Sequence, residues 1–221
     1  MEPTRYELVK ALAKPGDQIL ATLNAHKVHL LHMAIGMCGE AGEILEADSS
    51  ENILEELGVS YFYFEGFMQG LKLSAAELQR AQNVILREIN YTPWGGRESI
   101  SCVIVYASRI LDEVKKYAVY NKPELNMEHL LQHMIRYVYA LRSVRDQFGF
   151  SDEDVHSANL KKLGKRYASL TYTDNAALER ADKVEEAVAA PERNFIGMNA
   201  EQSVQEHSEI MNEITHSGAN D

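Results

Sequence analysis

Cysteine is nearly missing from this chain, at two residues in 221. Cys38 and Cys102 cannot build a disulfide framework, and both fall in apolar helical patterns, the setting of a buried, reduced thiol. No apolar run approaches the roughly 20 residues of a membrane span. The start, Met1–Glu2–Pro3–Thr4–Arg5, lacks the basic-then-apolar layout of a secretory signal. Basic residues are short as well. The 22 Lys and Arg stand against 33 Asp and Glu, a formal charge of −11 that argues against direct nucleic-acid binding. These absences predict a cytoplasmic protein with no membrane partner.

What is present is helix. With 45% hydrophobic and 25% charged residues the composition is that of an ordinary globular protein, long enough for one sizeable core or two small ones. Leu8, Leu12, Ile19 and Leu20 predict a helical segment over 6–23, interrupted at Pro15–Gly16. Leu31, Ala34, Ile35, Cys38 and Ile44 predict a second over 28–46. Asp48–Ser49–Ser50 breaks the pattern and offers caps for a third over 51–70, and Ser74–Ala75–Ala76–Glu77 reads as a capping box opening a fourth. The clearest linker, 91–98, holds Pro93, Trp94, Gly95 and Gly96. Beyond it come a helix over 99–117, a loop through Asn121–Lys122–Pro123, a helix over 127–148 and another capped by Ser151–Asp152–Glu153–Asp154. The fold class is all-α. From Ala176 to Asp221 ten acids against three bases carry −7 of the charge, so 176–221 reads as an acidic, solvated tail.

The pattern repeats. Setting Ser74 against Ser151 aligns 51–74 with 128–151 without a gap. Only Glu51/Glu128, Leu54/Leu131 and Ser74/Ser151 are identical, but the apolar rhythm is kept at Ile53/Leu130, Leu57/Met134, Phe62/Tyr139, Phe64/Leu141, Leu71/Phe148 and Leu73/Phe150. One helix earlier Ile44–Leu45–Glu46 matches Ile110–Leu111–Asp112, leaving the second half a loop eleven residues longer. The reading is a helical bundle of two tandem units, 1–90 and 99–175.

Chemistry concentrates in the first unit. Glu40 and Glu43 lie one helical turn apart, and Glu56 comes from the next helix. Three carboxylates converging between antiparallel helices suit a hard cation such as Mg2+. Gly39 and Gly42 flank the acids at about 1 kcal/mol each relative to alanine, which points to close helix packing there. At the equivalent positions the second unit carries Tyr106 for Glu40, Arg109 for Glu43, His133 for Glu56 and Arg136 for Val59. No cation site survives two arginines, so only the first unit offers metal ligands. The second instead has Lys115, Lys116, Lys122, Lys161, Lys162, Lys165 and Arg166, which suit phosphate oxygens. Against this, Lys115–Lys116 after Asp112–Glu113 is ordinary intrahelical pairing, Lys161 to Arg166 an ordinary solvated face, and Tyr61–Phe62–Tyr63–Phe64 with Phe67 bundle core.

The stretches Leu31 to Glu43, with its Gly39–Glu40–Ala41–Gly42–Glu43, and Asn52–Ile53–Leu54–Glu55–Glu56–Leu57–Gly58–Val59 resemble the all-α nucleoside triphosphate pyrophosphohydrolases, in particular small phage and bacterial MazG-like proteins. Asp112 to Pro123, and Asn159–Leu160–Lys161–Lys162–Leu163–Gly164–Lys165–Arg166–Tyr167 with Ala177, Arg180 and Asp182, resemble the rest of such a protein. The resemblance runs from about Leu30 to Lys183 and implies two fused MazG-like units. It implies Mg2+-dependent hydrolysis of a nucleoside triphosphate, a dNTP by preference, to monophosphate and pyrophosphate. Glu40, Glu43 and Glu56 would be the metal-binding and catalytic acids. Lys115, Lys116, Lys162, Arg166 and Tyr167 would meet substrate phosphates, and His32 and Asn52 base or sugar. The location implied is the cytoplasm, a host's if the chain is phage-encoded, and further homo-oligomer formation stays open. The family's second helix carries Glu-x-x-Asp; here the last position of that motif is Val59. Glu55, Glu46 or substrate oxygens would then complete the coordination. The alternatives are a nucleotide-binding or regulatory protein that has lost turnover, and an interaction protein acting through its tail.

Overall fold

The computed structural model describes residues 2–88, 97–167 and 171–179, and all regular structure among them is α-helix. No described helix is long and apolar enough to cross a membrane. Two short helices, α1 (Arg5–Leu12) and α2 (Gly16–Leu20), open the chain, divided just before Pro15. Neither buries a residue: Leu12 and Leu20 are 78% and 71% exposed. The expected segment over 6–23 is thus two helices outside the core.

The body is four helices of near-equal length, α3 (Ala25–Glu46), α4 (Ser50–Leu71), α6 (Arg97–Ala118) and α7 (Met127–Gln147), with α5 (Ala75–Glu88) and α8 (Asp152–Arg166) between and after them. Asn24 caps α3 and Ser49 caps α4, each side chain accepting from the backbone N–H three residues on. Arg97 and Glu98, expected in the linker, already form the first turn of α6; 91–96, with Trp94, lies outside the described residues. α3 packs on α4 and α6, and α6 on α7. α3 and α6 run antiparallel, since His26 meets Tyr117 while the Cys38 thiol meets Ser108. Leu30, Met37, Leu57, Phe67, Ile110, Leu130, Met134 and Leu141 are fully buried in one shared core. The run Tyr61 to Phe64 is only partly core: Phe64 is buried, but Phe62 is 46% exposed.

The corresponding ends of the two halves match. α4 ends on Lys72 in the left-handed conformation (φ 57°), and the Leu73 N–H donates to the Met68 carbonyl at 3.0 Å. After α7, Gly149 takes the left-handed conformation (φ 71°), and the Phe150 N–H donates to the Arg145 carbonyl at 3.2 Å, in the same register. The capping boxes expected at Ser74 and Ser151 follow: each hydroxyl and backbone N–H donates to the acid three residues on, Glu77 or Asp154. The third helices then cross over. α8 covers α4, and α5 covers α7, where the Gln82 side-chain amide donates to the Tyr139 hydroxyl at 3.0 Å.

The α4–α8 contact is closest at Gly58. A Cβ there would stand 2.8 Å from Asn159 Cβ and 3.0 Å from the Val155 carbonyl oxygen. The backbone oxygen cannot yield, so Gly58→Ala should destabilise the protein by about 1–3 kcal/mol despite alanine's better helix propensity. A thermal melt checks this, and an unchanged midpoint would mean that α8 does not sit this near.

The chain divides into two compact units, 1–171 and 172–221. The second contributes one described helix, α9 (Asp174–Glu179), whose first turn is capped by Thr173 Oγ1 accepting from the Ala176 N–H at 3.2 Å. The acidic tail from 180 onward lies outside the described residues.

Candidate functional site

Near the C-terminal end of α3, Glu40 and Glu43 project from one face, and Glu56 stands opposite in the second turn of α4. A three-residue connection, 47–49, holds these two helix ends together. One ligand oxygen from each of Glu40, Glu43 and Glu56 lies within 4.8 Å of the others, the spacing of a shared cation site. Glu40 is half-buried and Glu56 buried.

Crowding fixes a proton there. Burial, a hydrogen bond with Glu56 and the charges of Glu43 and Glu56 push the Glu40 carboxyl up to about 8, against an opposing pull from Lys162. Near neutral pH the metal-free cluster therefore holds a proton on Glu40, shared toward Glu56. Lys162, from α8, is the second counter-charge. Its Nζ donates to Glu56 Oε2 at 2.7 Å across 106 residues, with both side chains about 95% or more buried.

Lys162 is the sequence-predicted phosphate ligand that the fold brings to the acids. Arg166 and Tyr167 end the same helix, Arg166 one turn beyond Lys162 and Tyr167 at the cap, both half-buried. Asn52 is one turn from Glu56 on α4, where its amide donates to Asp48 at 2.8 Å. His32 is exposed on α3 two turns before Glu40, its ring edge-on to Tyr63. Lys115 and Lys116 are not brought in. They bind Asp112 and Glu113 of their own helix at 2.6–3.0 Å. Their end of α6 packs on the first turn of α3, about 20 Å from Glu40 at 1.5 Å rise per residue. Glu46 is exposed, and neither it nor Glu55 joins the acidic cluster.

Gly39 and Gly42 do not mark close packing. A Cβ built at either meets nothing within 4 Å. Two residues that weaken the helix leave bare, open backbone beside Glu40 and Glu43, which gives a ligand room to approach the carboxylates. Val59 is 5% exposed and occupies the turn after Glu56.

Three buried polar groups were not anticipated. Asn159, one turn before Lys162, has a buried Oδ1 without a hydrogen-bond partner. Ser60 Oγ and the Tyr137 hydroxyl face each other in the core, yet neither finds a partner of good geometry. Burial drives the Tyr137 phenol far upward, so it stays protonated. Asn159 stands at the head of the Asn159–Tyr167 element, which was the one available signal for it. Cys38, raised by burial, is a packing thiol rather than a nucleophile.

Compared with family models, with curated proteins and with solved structures, the chain finds no match.

Proposed function

We propose that this protein is a Mg2+-dependent nucleoside triphosphate pyrophosphohydrolase that converts a (deoxy)nucleoside triphosphate to the monophosphate and pyrophosphate. The observation carrying this reading is the convergence of Glu40, Glu43 and Glu56 within 4.8 Å beside open backbone, with a buried lysine at their edge. The sequence resemblance to the MazG-like enzymes, and the matched ends of α4/α7 and α5/α8, support a bundle of two fused, diverged units. The donor set is all carboxylate oxygen, which suits Mg2+; when bound, the cation would offset charge on the triphosphate and in the transition state. Glu40, Glu43 and Glu56 are the residues that would hold it, Glu40 giving up its proton as it does so. A carboxylate of this cluster takes the proton of the attacking water, and the bond between the α- and β-phosphates breaks. Lys162 supplies phosphate oxygens with a cation, and Arg166 and Tyr167 extend that surface.

A second reading has its own support. Val59 stands where the family has an acid, and Lys162 already neutralises Glu56. On this reading the chain binds nucleotide and turns it over poorly or not at all.

Incubation with Mg2+ and a panel of canonical and modified dNTPs, with pyrophosphate as readout, tests the proposal. Turnover supports the enzyme, binding without turnover supports the second reading, and neither removes both. Val59→Asp should raise turnover about tenfold or more by restoring a carboxylate. An unchanged rate in a folded variant would show that this position does not limit cation binding.

A further inference from the structure

The face of α6 and α7 equivalent to the acidic site carries the opposite charge. The rings of Tyr106 and His133 stack at 6.4 Å and 27° between planes. The Arg136 guanidinium lies over the Tyr106 ring at 5.9 Å, so both α7 side chains bear on the same tyrosine. Arg109, one turn beyond Tyr106 on α6, is near enough to act on His133. The groups that face His133 are therefore Arg136, Arg109, His129 and one acid, Glu113. Glu113 is engaged by Lys116 at 3.0 Å. Among the described residues neither Arg109 nor Arg136 has an ion-pair partner, and the one hydrogen bond of Arg136, to Gln132 Oε1, is long at 3.5 Å. His133 Nδ1 is buried without a hydrogen-bond partner.

Two arginines with no carboxylate partner, both acting on one imidazole whose buried nitrogen has no partner, leave positive charge and donors unmatched. A ring face fixes one guanidinium fork, so its entropy is already reduced. A doubly charged oxyanion would balance this charge and accept from both forks, as phosphate does in bidentate arginine sites. A carboxylate ligand has one face for one fork and serves two arginines less well.

We propose that Tyr106, Arg109, His133 and Arg136 form a binding site for a phosphate-type oxyanion, separate from the Glu40–Glu43–Glu56 cluster. It does not depend on whether that cluster is catalytic. An anion here also favours the charged imidazole, so His133 reports on occupancy.

The full-length protein should be titrated with inorganic phosphate, pyrophosphate and a deoxynucleoside monophosphate in turn. His133 ring protons are followed by NMR, assigned through His133→Ala. A saturable His133 shift at millimolar anion or below is expected, and Arg109→Gln/Arg136→Gln should weaken it at least about tenfold. Lys161→Gln/Lys165→Gln, exposed on α8, should leave it unchanged. A response to phosphate and pyrophosphate alone assigns the site to free anions. An equal response to the monophosphate assigns it to phosphate groups in general. No His133 shift with any of the three, or full-strength binding by the folded double arginine variant, overturns the proposal.

Discussion

Lys162→Met should lower the stability of the metal-free protein at neutral pH by about 3–5 kcal/mol. Methionine keeps the length of the side chain and fills the same space, so the loss is one of charge. Glu56 would then be a buried carboxylate facing Glu40 and Glu43 with no cation against it. For a unit of this size the melting temperature should drop by about 2–4 °C for each kcal/mol. The pair itself need not be stabilising relative to apolar residues, so Glu56→Met/Lys162→Met should recover much of the loss. The variant has a second signature. With its internal cation gone, the cluster is more negative, and added Mg2+ should raise the melting temperature more in Lys162→Met than in the parent. Melting within about 2 °C of the parent in chelator would show that the ion pair does not hold α8 on α4.

Glu40→Gln should separate stability from function in opposite directions. The Glu40 carboxyl is raised from 4.5 to about 8. Between those values the folded chain binds a proton that the unfolded chain does not, so stability falls as pH rises through this window and levels off above it. His133, lowered by burial and by Arg136, slopes the other way, but only in the acidic part of the range. Approaching pH 8, Glu40 therefore dominates. Glutamine is neutral and still donates toward Glu56, so the variant should be more stable than the parent above pH 8, by roughly 2–4 kcal/mol, and its pH profile flatter. The same substitution removes a cation ligand and should reduce Mg2+-dependent turnover by about 100-fold or more. Melting curves at pH 6 and pH 9 in chelator decide the first half. A parent protein equally stable at both would mean that Glu40 ionises freely.

The helices were legible because their signals are local. Ser74 and Ser151 cap where their spacing from the next acid predicts, Ser49 is one of the three cap candidates before α4, and the hydrogen bond that closes α4 recurs in the same register after α7. Glu40, Glu43 and Glu56 come together because a three-residue connection keeps the end of α3 beside the start of α4 and their spacing puts them on the facing sides. What lies across a helix carries no local signal. Gly39 and Gly42 carry the sequence mark of packing glycines and face open space, while Gly58, which nothing local distinguishes, is the tight contact. Lys115 and Lys116 carry the same charge as Lys162, and only the register of α6 against α3 sends them to the far end. The Glu56–Lys162 pair spans 106 residues, and no periodicity encodes a partner at that distance. Leu12 and Leu20 show the reverse error, since apolar spacing makes a helix without ensuring that anything covers it.

The packing of α8 on α4 and of α5 on α7 ties together helices that are far apart in the chain. The cover of α4 comes from a helix that follows α7, and the cover of α7 from a helix that precedes α6. Peeling α8 away would strip Lys162 from Glu56 and the cover from Gly58 in the same motion, so Glu56 keeps its counter-ion only while the α4–α8 contact is closed. Whatever the acids do is then available only to a chain in which α8 has folded back onto α4.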